Sequence, residues 1–597
     1  MSTYAPPLKD MQFVIEELAG LAGITAMPAC ADVTPDLVEA VLGEAGRFAA
    51  AVLDPLNRVG DQQGAQWAGG SVTPPAGFAE AYKQFTAAGW NGLSGPPEYG
   101  GQGLPHILAM AVQEMWNSAN MAFCLAPMLT SGVIEALKLR GSPEQKAQYL
   151  PKLVSGEWSG TMNLTEPQAG SDLSAVRTQA VRAGDHYRIK GTKIFITWGE
   201  HDMSRNIVHL VLARTPDAPE GVKGLSLFIV PKCIPDADGN PGPSNDVKCV
   251  SIERKMGIHA SPTCVMSYGE DGGAVGYLVG EENRGLETMF IMMNHARLGV
   301  GLEGVAIAER AYQHALAHAK TRVQGRAIGQ RGGERVPIIR HPDVRRMLLE
   351  MKSQIEAMRA LAYTASAALD KAHHHPDEAE RRSSQACVDL LIPIVKGWCT
   401  EQAIRIASTG MQVHGGMGFI EDTGAAQYLR DARITAIYEG TTGIQAADLV
   451  GRKIGHDQGA TALALIAQMR KLAAALAQDP HPDVAALHVA LMRAVDALAR
   501  ATQWVLKKSA AEPDAVAAVS VPYLQLWGTV AGGWLMARAA ETCAANLAAG
   551  RGDAAFAAAK IATARFYTGH VLPQAAALAE EVVDGAASVL ALEEAQF

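Results

Sequence analysis

The chain has 597 residues, of which 48% are hydrophobic and 19% are charged, and its formal net charge is −9. This length is more than one compact core usually holds, so the sequence predicts a globular protein with several domains. The negative net charge excludes a protein whose affinity depends mainly on contacts with nucleic-acid phosphates.

The sequence predicts no targeting segment, no metal site and no membrane span. Residues 1–13 lack a basic or amphipathic leader pattern, so we expect neither a secretory nor a transit peptide. The eight cysteines form no CxxC pair and no metal-ligand spacing, which predicts buried, reduced thiols in a cytoplasmic protein. Residues 515–537 carry no charge over a length that could cross a bilayer, but their glycines and polar residues favour a buried helix or helix pair.

The first part of the chain is predicted to be helical, with an N-terminal arm at 1–35 and a helical domain at 36–160. Ser142 followed by Pro143 and Gln145 has the pattern of a capping box and predicts that a helix begins there. The glycine-rich loop 92–103 is interpreted as a turn between helices. Phosphate binding by its backbone amides is the open alternative, although the loop lacks GxGxxG spacing.

The pattern changes to strands in the second domain, predicted at 161–285. Short β-branched or aromatic runs occur at 187–190, 193–197, 207–212 and 225–230, with turn residues between them and no helical pattern. These runs favour an antiparallel barrel or sandwich over βαβ units. The loop 162–172 at the start of this domain has the hydroxyls and Gly/Pro turns that can bind a polar planar ring, but it could equally be an ordinary turn.

Helical patterns return in a third domain at 286–455 and continue in an extra module at 456–597. Apolar residues from Val344 to Leu361 follow the three-four spacing of an amphipathic helix, and those from Leu487 to Val505 do the same. The predicted fold class is therefore α+β, with an N-terminal helical domain, a central antiparallel β domain, a helical bundle and an additional C-terminal helical module.

Glu439 is the candidate catalytic residue. It follows an apolar helical run and precedes Gly440. One interpretation is a solvated carboxylate at a helix end. The other is a general base beside an apolar cavity, with a pKa raised by desolvation and with room for a substrate at Gly440. The residues alone leave both interpretations open.

The loop 162–172, the Glu439 segment and the α-β-α order together resemble the acyl-CoA dehydrogenase family over about residues 36–455. Further segments of the family pattern recur in the same order: residues 90–103, 195–197 and 255–257, Arg297, Arg322 and residues 412–419. The N-terminal arm, residues 443–446 and the C-terminal module resemble the larger bacterial subfamily that includes methylthiopropionyl-CoA dehydrogenases.

The resemblance implies FAD bound without a Rossmann fold, in agreement with the absence of a GxGxxG motif. The FAD contacts that it implies are Met162, Leu164, Thr165, Ser171, Phe195, Thr197, Arg322, Gln412, Gly415, Gly416 and Thr441. It places Ser171, Arg297 and Gly440 beside the substrate. Arg322 would reach the FAD pyrophosphate of a neighbouring subunit, which implies a homo-oligomer, with a homodimer as the first choice. Gly325 and Gly443 replace larger residues of the family, so no FAD contact is assigned to them.

The resemblance also implies the reaction. Glu439 would remove the α-proton of an acyl-CoA thioester, and the β-hydrogen would pass as hydride to flavin N5. The product would be a trans-2-enoyl-CoA, with electrons passed on to an electron-transfer flavoprotein. Some family members carry the base at the position of Ala296, which cannot take a proton.

Two alternatives share this fold. An acyl-CoA oxidase would use the same base and give its electrons to oxygen. A non-catalytic, DNA-associated flavoprotein would need a basic C-terminal module, but residues 456–597 contain ten Lys and Arg against thirteen Asp and Glu, a net charge of −3.

The floor of the acyl cleft is expected near residues 113–123. Met115, Trp116, Met121 and Phe123 would shorten the cleft if they point into it, and the alternative is that they face the domain core. The subfamily resemblance favours a short acyl group, with or without a thioether.

Overall fold

The computed structural model describes residues 3–329 and 332–597. Its strands are β1 Gln66–Ala68, β2 Ser71–Thr73, β3 Trp158–Asn163, β4 Gln179–Ala183, β5 His186–Thr197, β6 Asn206–Ala213, β7 Ser226–Pro231, β8 Cys233–Pro235, β9 Pro241–Ser244, β10 Val247–Ile252, β11 Thr263–Tyr268, β12 Ala274–Val279, β13 Val323–Arg326 and β14 Arg335–Pro337.

The helices are α1 Leu8–Phe13, α2 Leu21–Thr25, α3 Pro35–Phe48, α4 Asp54–Gln63, α5 Phe78–Ala87, α6 His106–Arg140, α7 Pro143–Ser155, α8 Gly285–Thr321, α9 Pro342–His374, α10 Glu378–His414, α11 Ala425–Thr435, α12 Thr442–Asp448, α13 Ile454–His456, α14 Ala460–Leu476, α15 Pro482–Ala485, α16 His488–Lys508, α17 Pro513–Ala518, α18 Ser520–Ala548, α19 Ala554–His570, α20 Gln574–Asp584 and α21 Ala586–Val589.

Two units follow from the contacts within the chain. The helical unit comprises Met1–Glu44, Pro105–Ser118 and Val300–Phe597, and the sheet unit comprises Ala45–Leu104 and Ala119–Gly299. These two units do not test the division into five segments that was predicted from the sequence, which remains a prediction.

The sheet unit is built on one large sheet, in the order β10-β11-β5-β12-β7-β6-β3, with β4 also paired to β5. All these neighbours are antiparallel except β3 and β6, which pair in parallel. The runs predicted as two strands at 187–190 and 193–197 form the single strand β5. The prediction of a turn between them was wrong, because Gly191 stays in the ladder and packs closely against Thr178.

The helical prediction for residues 1–160 was wrong at 66–73, where β1 and β2 form a hairpin. Gly69 and Gly70 make its turn with φ of +57° and +91°, a conformation that glycine adopts without a steric penalty. A second unpredicted hairpin, β13 with β14, interrupts the third predicted domain.

The glycine-rich loop 92–103 is a turn, as the first interpretation had it. Its amides are used internally, since Gln102 N–H donates to the Gly92 carbonyl and Gly103 N–H to the Gly95 carbonyl. A Cβ on Gly101 would lie 2.2 Å from the Gly95 backbone, so close chain approach explains the glycines. The capping box predicted at Ser142 is also confirmed.

Helix–helix packing forms the core of the helical unit. The stripe predicted from Val344 to Leu361 on α9 is buried except for the half-buried Val344, and the stripe from Leu487, just before α16, to Val505 is buried, which confirms both predictions of amphipathic helices. Residues 515–537 form the predicted helix pair, α17 and most of α18, and most of α18 is buried by other helices. Gly528 lets α18 approach α10, because a Cβ there would lie 2.1 Å from Trp398.

Within the described residues, α6 is the helix whose length and composition would suffice to cross a membrane, and 78% of its apolar window is buried. It has a break at Asn120, whose φ and ψ are −157° and 85°. All eight cysteines are free thiols, and Cys233 and Cys387 are the two that are not fully buried.

Candidate active site

The loop after β3, which carries several predicted flavin contacts, is braced by a buried ion pair. Lys193 Nζ lies 2.8 Å from Glu166 Oε1 and donates a hydrogen bond to the Leu164 carbonyl at 2.9 Å. Ile194 N–H donates to the Thr165 carbonyl at 2.9 Å. The loop is therefore fixed against β5 by the Lys193 side chain and by one backbone hydrogen bond.

The protonation states of this pair follow from burial and mutual attraction. Burial favours the neutral Glu166 carboxyl, but the Lys193 charge and several hydrogen bonds outweigh burial and lower the pKa of Glu166 to about 2. Burial lowers the pKa of Lys193 to about 8, against the attraction of Glu166. The depressed carboxyl pKa stabilises the fold above the ordinary Glu value of about 4, and this stabilisation is lost as pH falls toward 2.

Strand β5 ends in a strained segment that presents an aromatic ring to solvent. Phe195 and Trp198 have φ of +59° and +51°, in the left-handed region that non-glycine residues seldom occupy. The Thr197 carbonyl between them accepts a hydrogen bond from Thr161 Oγ1 at 2.7 Å, and the buried Trp198 indole donates to the Ala122 carbonyl at 3.2 Å. Phe195 is 59% exposed. Backbone strain that exposes a large apolar ring indicates a functional surface.

The remaining predicted residues of the sheet unit have different surroundings. Met162 is buried near the end of β3, whereas Ser171 is exposed in the loop. Arg297 is buried on α8, with its guanidinium 6.0 Å from the centre of the Phe290 ring. The bonds described above join the Leu164–Thr165 segment to the end of β5, and they do not include Ser171 or Arg297.

Glu439 lies in the helical unit, on the turn between α11 and α12, and is half-buried. Its φ is +56°, and that of Gly440 is +89°. Lys396 Nζ on α10 donates to the Gly440 carbonyl at 2.6 Å, and Gln445 Nε2 donates to the carbonyls of Glu439 and Gly440 at 3.1 and 3.2 Å. Thr441 caps the start of α12 with its hydroxyl. The turn is therefore held in a strained conformation by buried side chains from two helices.

Glycine is required after Glu439. A Cβ at Gly440 would lie 2.8 Å from Gln445 Nε2, and the positive φ disfavours any side chain there. The glycine thus allows both the turn and the side-chain bonds that hold it.

A second carboxyl group lies beside this turn. Glu303 on α8 is fully buried and accepts a hydrogen bond from the Tyr438 hydroxyl. Burial raises the pKa of Glu303 to about 8. The Glu439 charge adds to this effect, whereas the Tyr438 hydrogen bond and the Lys396 charge oppose it.

The residues predicted to hold the adenosine and pyrophosphate parts of FAD meet at the end of α8 and α10. The His318 ring stacks on His414 with centroids 4.4 Å apart, and the His314 ring is tilted against His414 with centroids 4.6 Å apart. The exposed Arg322 follows His318 by one turn, and Gly415 follows His414. The described residues contain no group of three or more His, Cys, Asp or Glu side chains that could hold a metal ion.

The three histidines stay neutral near pH 7. Burial lowers the pKa of His314 to about 3, and it lowers the pKa values of His318 and His414 as well. The end of α10 continues from the exposed Gln412 through His414 to Gly415, whose φ is +63°. The stacked rings of His318 and His414 thus bring the end of α8, which Arg322 follows, close to the predicted Gln412–Gly416 segment.

Sequence reasoning missed five buried partners of these segments, Glu166, Lys193, Glu303, Lys396 and Gln445, and the half-buried His318. A signal for some of them was present. Glu303 and Lys396 are single charges inside long apolar helical runs, and a charge at such a position is seldom buried without a specific role.

Four consecutive segments of the chain match known domain families. They are the acyl-CoA dehydrogenase N-terminal domain at 38–157, the middle domain at 161–270, the C-terminal domain at 283–454 and an acetyl-CoA dehydrogenase C-terminal-like domain at 465–593. The chain therefore belongs to the acyl-CoA dehydrogenase family, which consists of FAD-dependent enzymes. The family resemblance and the α+β fold class inferred from the sequence are confirmed.

Individual relatives extend over the full length. The chain is 51% identical to 3-methylmercaptopropionyl-CoA dehydrogenase of Ruegeria pomeroyi, over 98% of this chain and 99% of the relative. It is 35% identical to a butyryl-CoA dehydrogenase of Syntrophomonas wolfei, over 96% and 95%. Its fold matches an acyl-CoA dehydrogenase complexed with FAD from Bacillus anthracis, with a TM-score of 0.74 at 21% identity over 94% of this chain and 90% of that one.

Each unit has surfaces that fit a part of FAD. In the sheet unit, the exposed Phe195 ring is a face on which a planar ring can stack. In the helical unit, a Cβ at Gly415 or Gly416 would meet open space, so the backbone is accessible to a nucleotide. The exposed Arg322 guanidinium suits a diphosphate.

Proposed function

We propose that this chain dehydrogenates a short acyl-CoA thioester, with Glu439 as the base that removes the α-proton. The observation that supports this role most is the turn itself. Glu439 has a strained backbone, and the buried Lys396 and Gln445 hold the carbonyls of that turn. Strain maintained by buried partners is typical of functional positions. The fixed turn would aim the carboxylate at one point instead of leaving it to sample solvent.

In this mechanism, the Glu439 carboxylate takes the proton from the α-carbon of the thioester as a general base. The Glu439 backbone N–H donates to the thioester carbonyl, which stabilises the negative charge that develops there. FAD, when bound, supplies the acceptor for the β-hydrogen, which leaves as hydride. The thioester loses one proton and one hydride and becomes a trans-2-enoyl-CoA.

The residues proposed to hold FAD are Met162, Leu164, Thr165, Ser171, Phe195, Thr197, Arg322, Gln412, Gly415, Gly416 and Thr441. Ser171, Arg297 and Gly440 are proposed to lie beside the substrate. The exposed Phe195 ring and the braced loop before it support the flavin assignments in the sheet unit. An electron-transfer flavoprotein is proposed as the acceptor that reoxidises the enzyme.

The substrate is proposed to be 3-methylthiopropionyl-CoA or a straight-chain thioester of similar length. The two full-length relatives are a 3-methylmercaptopropionyl-CoA dehydrogenase and a butyryl-CoA dehydrogenase, which supports a short acyl chain. Phe123 was a candidate for the floor of the acyl cleft, but its ring packs against Phe78 and Phe85 in the core of the sheet unit. Phe123 therefore gives no support for a short cleft.

We expect kcat/KM to be highest for 3-methylthiopropionyl-, butyryl- and hexanoyl-CoA and to fall by tenfold steps toward palmitoyl-CoA. A pocket that fits a short chain discriminates by about 1–3 kcal/mol per methylene. The measurement is the rate of electron-transfer-flavoprotein reduction over this series, with dissolved oxygen as the control acceptor. A steady rise up to palmitoyl-CoA would contradict a short cleft, and turnover that is equally fast with oxygen would favour the oxidase alternative.

The active protein is proposed to be a homodimer. Met417, Phe419 and Ile420, which follow the proposed FAD-binding glycines, are 51%, 84% and 47% exposed. Three large apolar residues exposed within four positions indicate a protein contact. We expect a dimer by light scattering, and we expect Phe419→Asp to weaken it by at least about tenfold. The equally exposed Phe597 provides the matched control, Phe597→Asp, which should remain dimeric. A wild-type protein that stays monomeric when loaded with FAD would refute the dimer.

A further inference from the structure

The buried carboxyl of Glu303 has no part in the mechanism above, yet it lies directly beside the residue that precedes the base. Tyr438 donates its hydroxyl hydrogen to Glu303 Oε2. The other oxygen, Oε1, is buried and has no hydrogen-bond partner among the described residues. An ionised carboxylate with an unpaired buried oxygen is costly, whereas the neutral acid is tolerated far better.

The groups that face this carboxyl come from several elements. The positive charge of Lys396 on α10 favours the ionised form of Glu303, whereas the negative charge of Glu439 on the turn favours the neutral form. Tyr438 also feels the charge of Asp431 on α11. Burial has the largest effect on Glu303 and raises its pKa to about 8. The carboxyl is therefore mostly protonated near pH 7 and ionises when the pH rises past about 8.

We propose that Glu303 is a positioning residue for Glu439: through Tyr438 it holds the turn, and its charge state sets how strongly Glu439 attracts the α-proton. This inference rests on the proposed function, because it takes Glu439 as the base. The electrostatic repulsion between the two carboxylates is reciprocal. Since the charge on Glu439 favours the proton on Glu303, ionisation of Glu303 must equally favour a proton on Glu439.

This coupling has a pH signature. As pH rises through about 8, Glu303 loses its proton and Glu439 becomes a stronger base. Proton abstraction should therefore show a second rise in this range, beyond the rise that accompanies ionisation of Glu439 itself. We expect the second rise to be about three- to tenfold, because only part of a change in base strength appears in the rate of proton transfer.

The experiment isolates the proton step. A 3-thia acyl-CoA has an α-hydrogen but no β-hydrogen to give, so exchange of its α-hydrogen in D₂O reports the base without hydride transfer. Exchange is followed by NMR against pH on the full-length, FAD-loaded protein and corrected for exchange without protein. The variants are Glu303→Gln, which is permanently neutral, and Tyr438→Phe, which removes the hydrogen bond to Glu303.

The expected results differ for each protein. Wild type shows the second rise, and Glu303→Gln keeps its rate near pH 7 within about threefold but lacks the second rise. Tyr438→Phe moves the second rise to higher pH, because the lost hydrogen bond had been lowering the pKa of Glu303. Asp370→Asn is the matched control. Asp370 is another buried carboxyl of the helical unit, with a pKa raised by burial to about 7, and its loss should leave the second rise in place.

Two outcomes overturn the proposal: a second rise that persists in Glu303→Gln, or a wild-type protein with normal exchange and no second rise. Both leave the proposed function standing. If Glu303→Gln does not fold, an unshifted profile of Tyr438→Phe overturns the proposal in its place. Absence of α-hydrogen exchange in wild type with every thioester would contradict the proposed function itself, and with it the role of Glu303.

Discussion

Glu439→Gln should bind FAD and acyl-CoA but lose turnover by on the order of 10³-fold or more, within the range that a positioned general base contributes. The amide has nearly the shape of the carboxylate but cannot accept the α-proton. Lys396 and Gln445 bind backbone carbonyls of the turn and not the side chain, so the turn should survive the substitution. Turnover is measured on purified protein at equal flavin content.

The matched control is Glu421→Gln in the same unit. Glu421 is exposed and pairs with Arg430 at the surface, so its substitution should leave turnover within about twofold. If Glu439→Gln retains even a tenth of wild-type activity, the assignment of the base is wrong.

Arg359→Leu should destabilise the helical unit by about 3–5 kcal/mol, because it leaves buried carboxylates without their partner. The Arg359 guanidinium is 1% exposed and reaches three carboxylates at once: Glu114 on α6 at 2.5 Å, Asp10 on α1 at 2.6 Å and Glu309 on α8 at 2.9 Å. Lys560 on α19 also pairs with Asp10. This network joins the N-terminal arm and the C-terminal module to the bundle, so flavin retention should fall together with stability.

The measurement is the urea midpoint of wild type, Arg359→Leu and Arg359→Lys, with Arg346→Leu as the control on the same helix. The ion pairs of Arg346 with Asp343 and Glu350 are exposed, and such pairs are worth about 0–1 kcal/mol. Arg359→Lys keeps the charge but not the planar fork, and its midpoint should lie between those of wild type and Arg359→Leu. Equal midpoints for Arg346→Leu and Arg359→Leu would show that the buried network contributes no stability.

The stabilisation that the Arg359 network provides should depend on pH in the acid range. Burial alone would raise the pKa of Asp10, but Lys560 and Arg359 outweigh burial and hold it well below its ordinary value. The interaction therefore stabilises the fold above the unfolded Asp pKa of about 4 and is lost as pH falls below it. The difference between wild type and Arg359→Leu should accordingly shrink in acid.

Local features of this fold were predictable from the sequence. The capping box at Ser142 and the apolar stripes of α9 and α16 depend on contacts within a few residues, and the structure has them. The hairpin at 66–73 was also local. Its Gly69-Gly70 pair is a turn signal that the surrounding helical pattern outweighed in the sequence interpretation.

Long-range partners could not be predicted in the same way. The parallel pairing of β3 with β6 depends on how the chain returns across the sheet, and no local pattern encodes it. Glu303 and Tyr438 lie 135 positions apart. The motif around Glu439 therefore identifies a candidate base, whereas the groups that hold and tune it emerge only from the tertiary structure.

We propose that this chain uses FAD to remove two hydrogens from a short acyl-CoA thioester. Anaerobic titration of the FAD-loaded protein with 3-methylthiopropionyl-CoA tests it most directly, by following the flavin absorption band and the mass of the thioester. We expect bleaching that is complete near one thioester per flavin, with a product two hydrogens lighter. A flavin that stays oxidised with this thioester and with every straight-chain thioester from butyryl- to palmitoyl-CoA would contradict it.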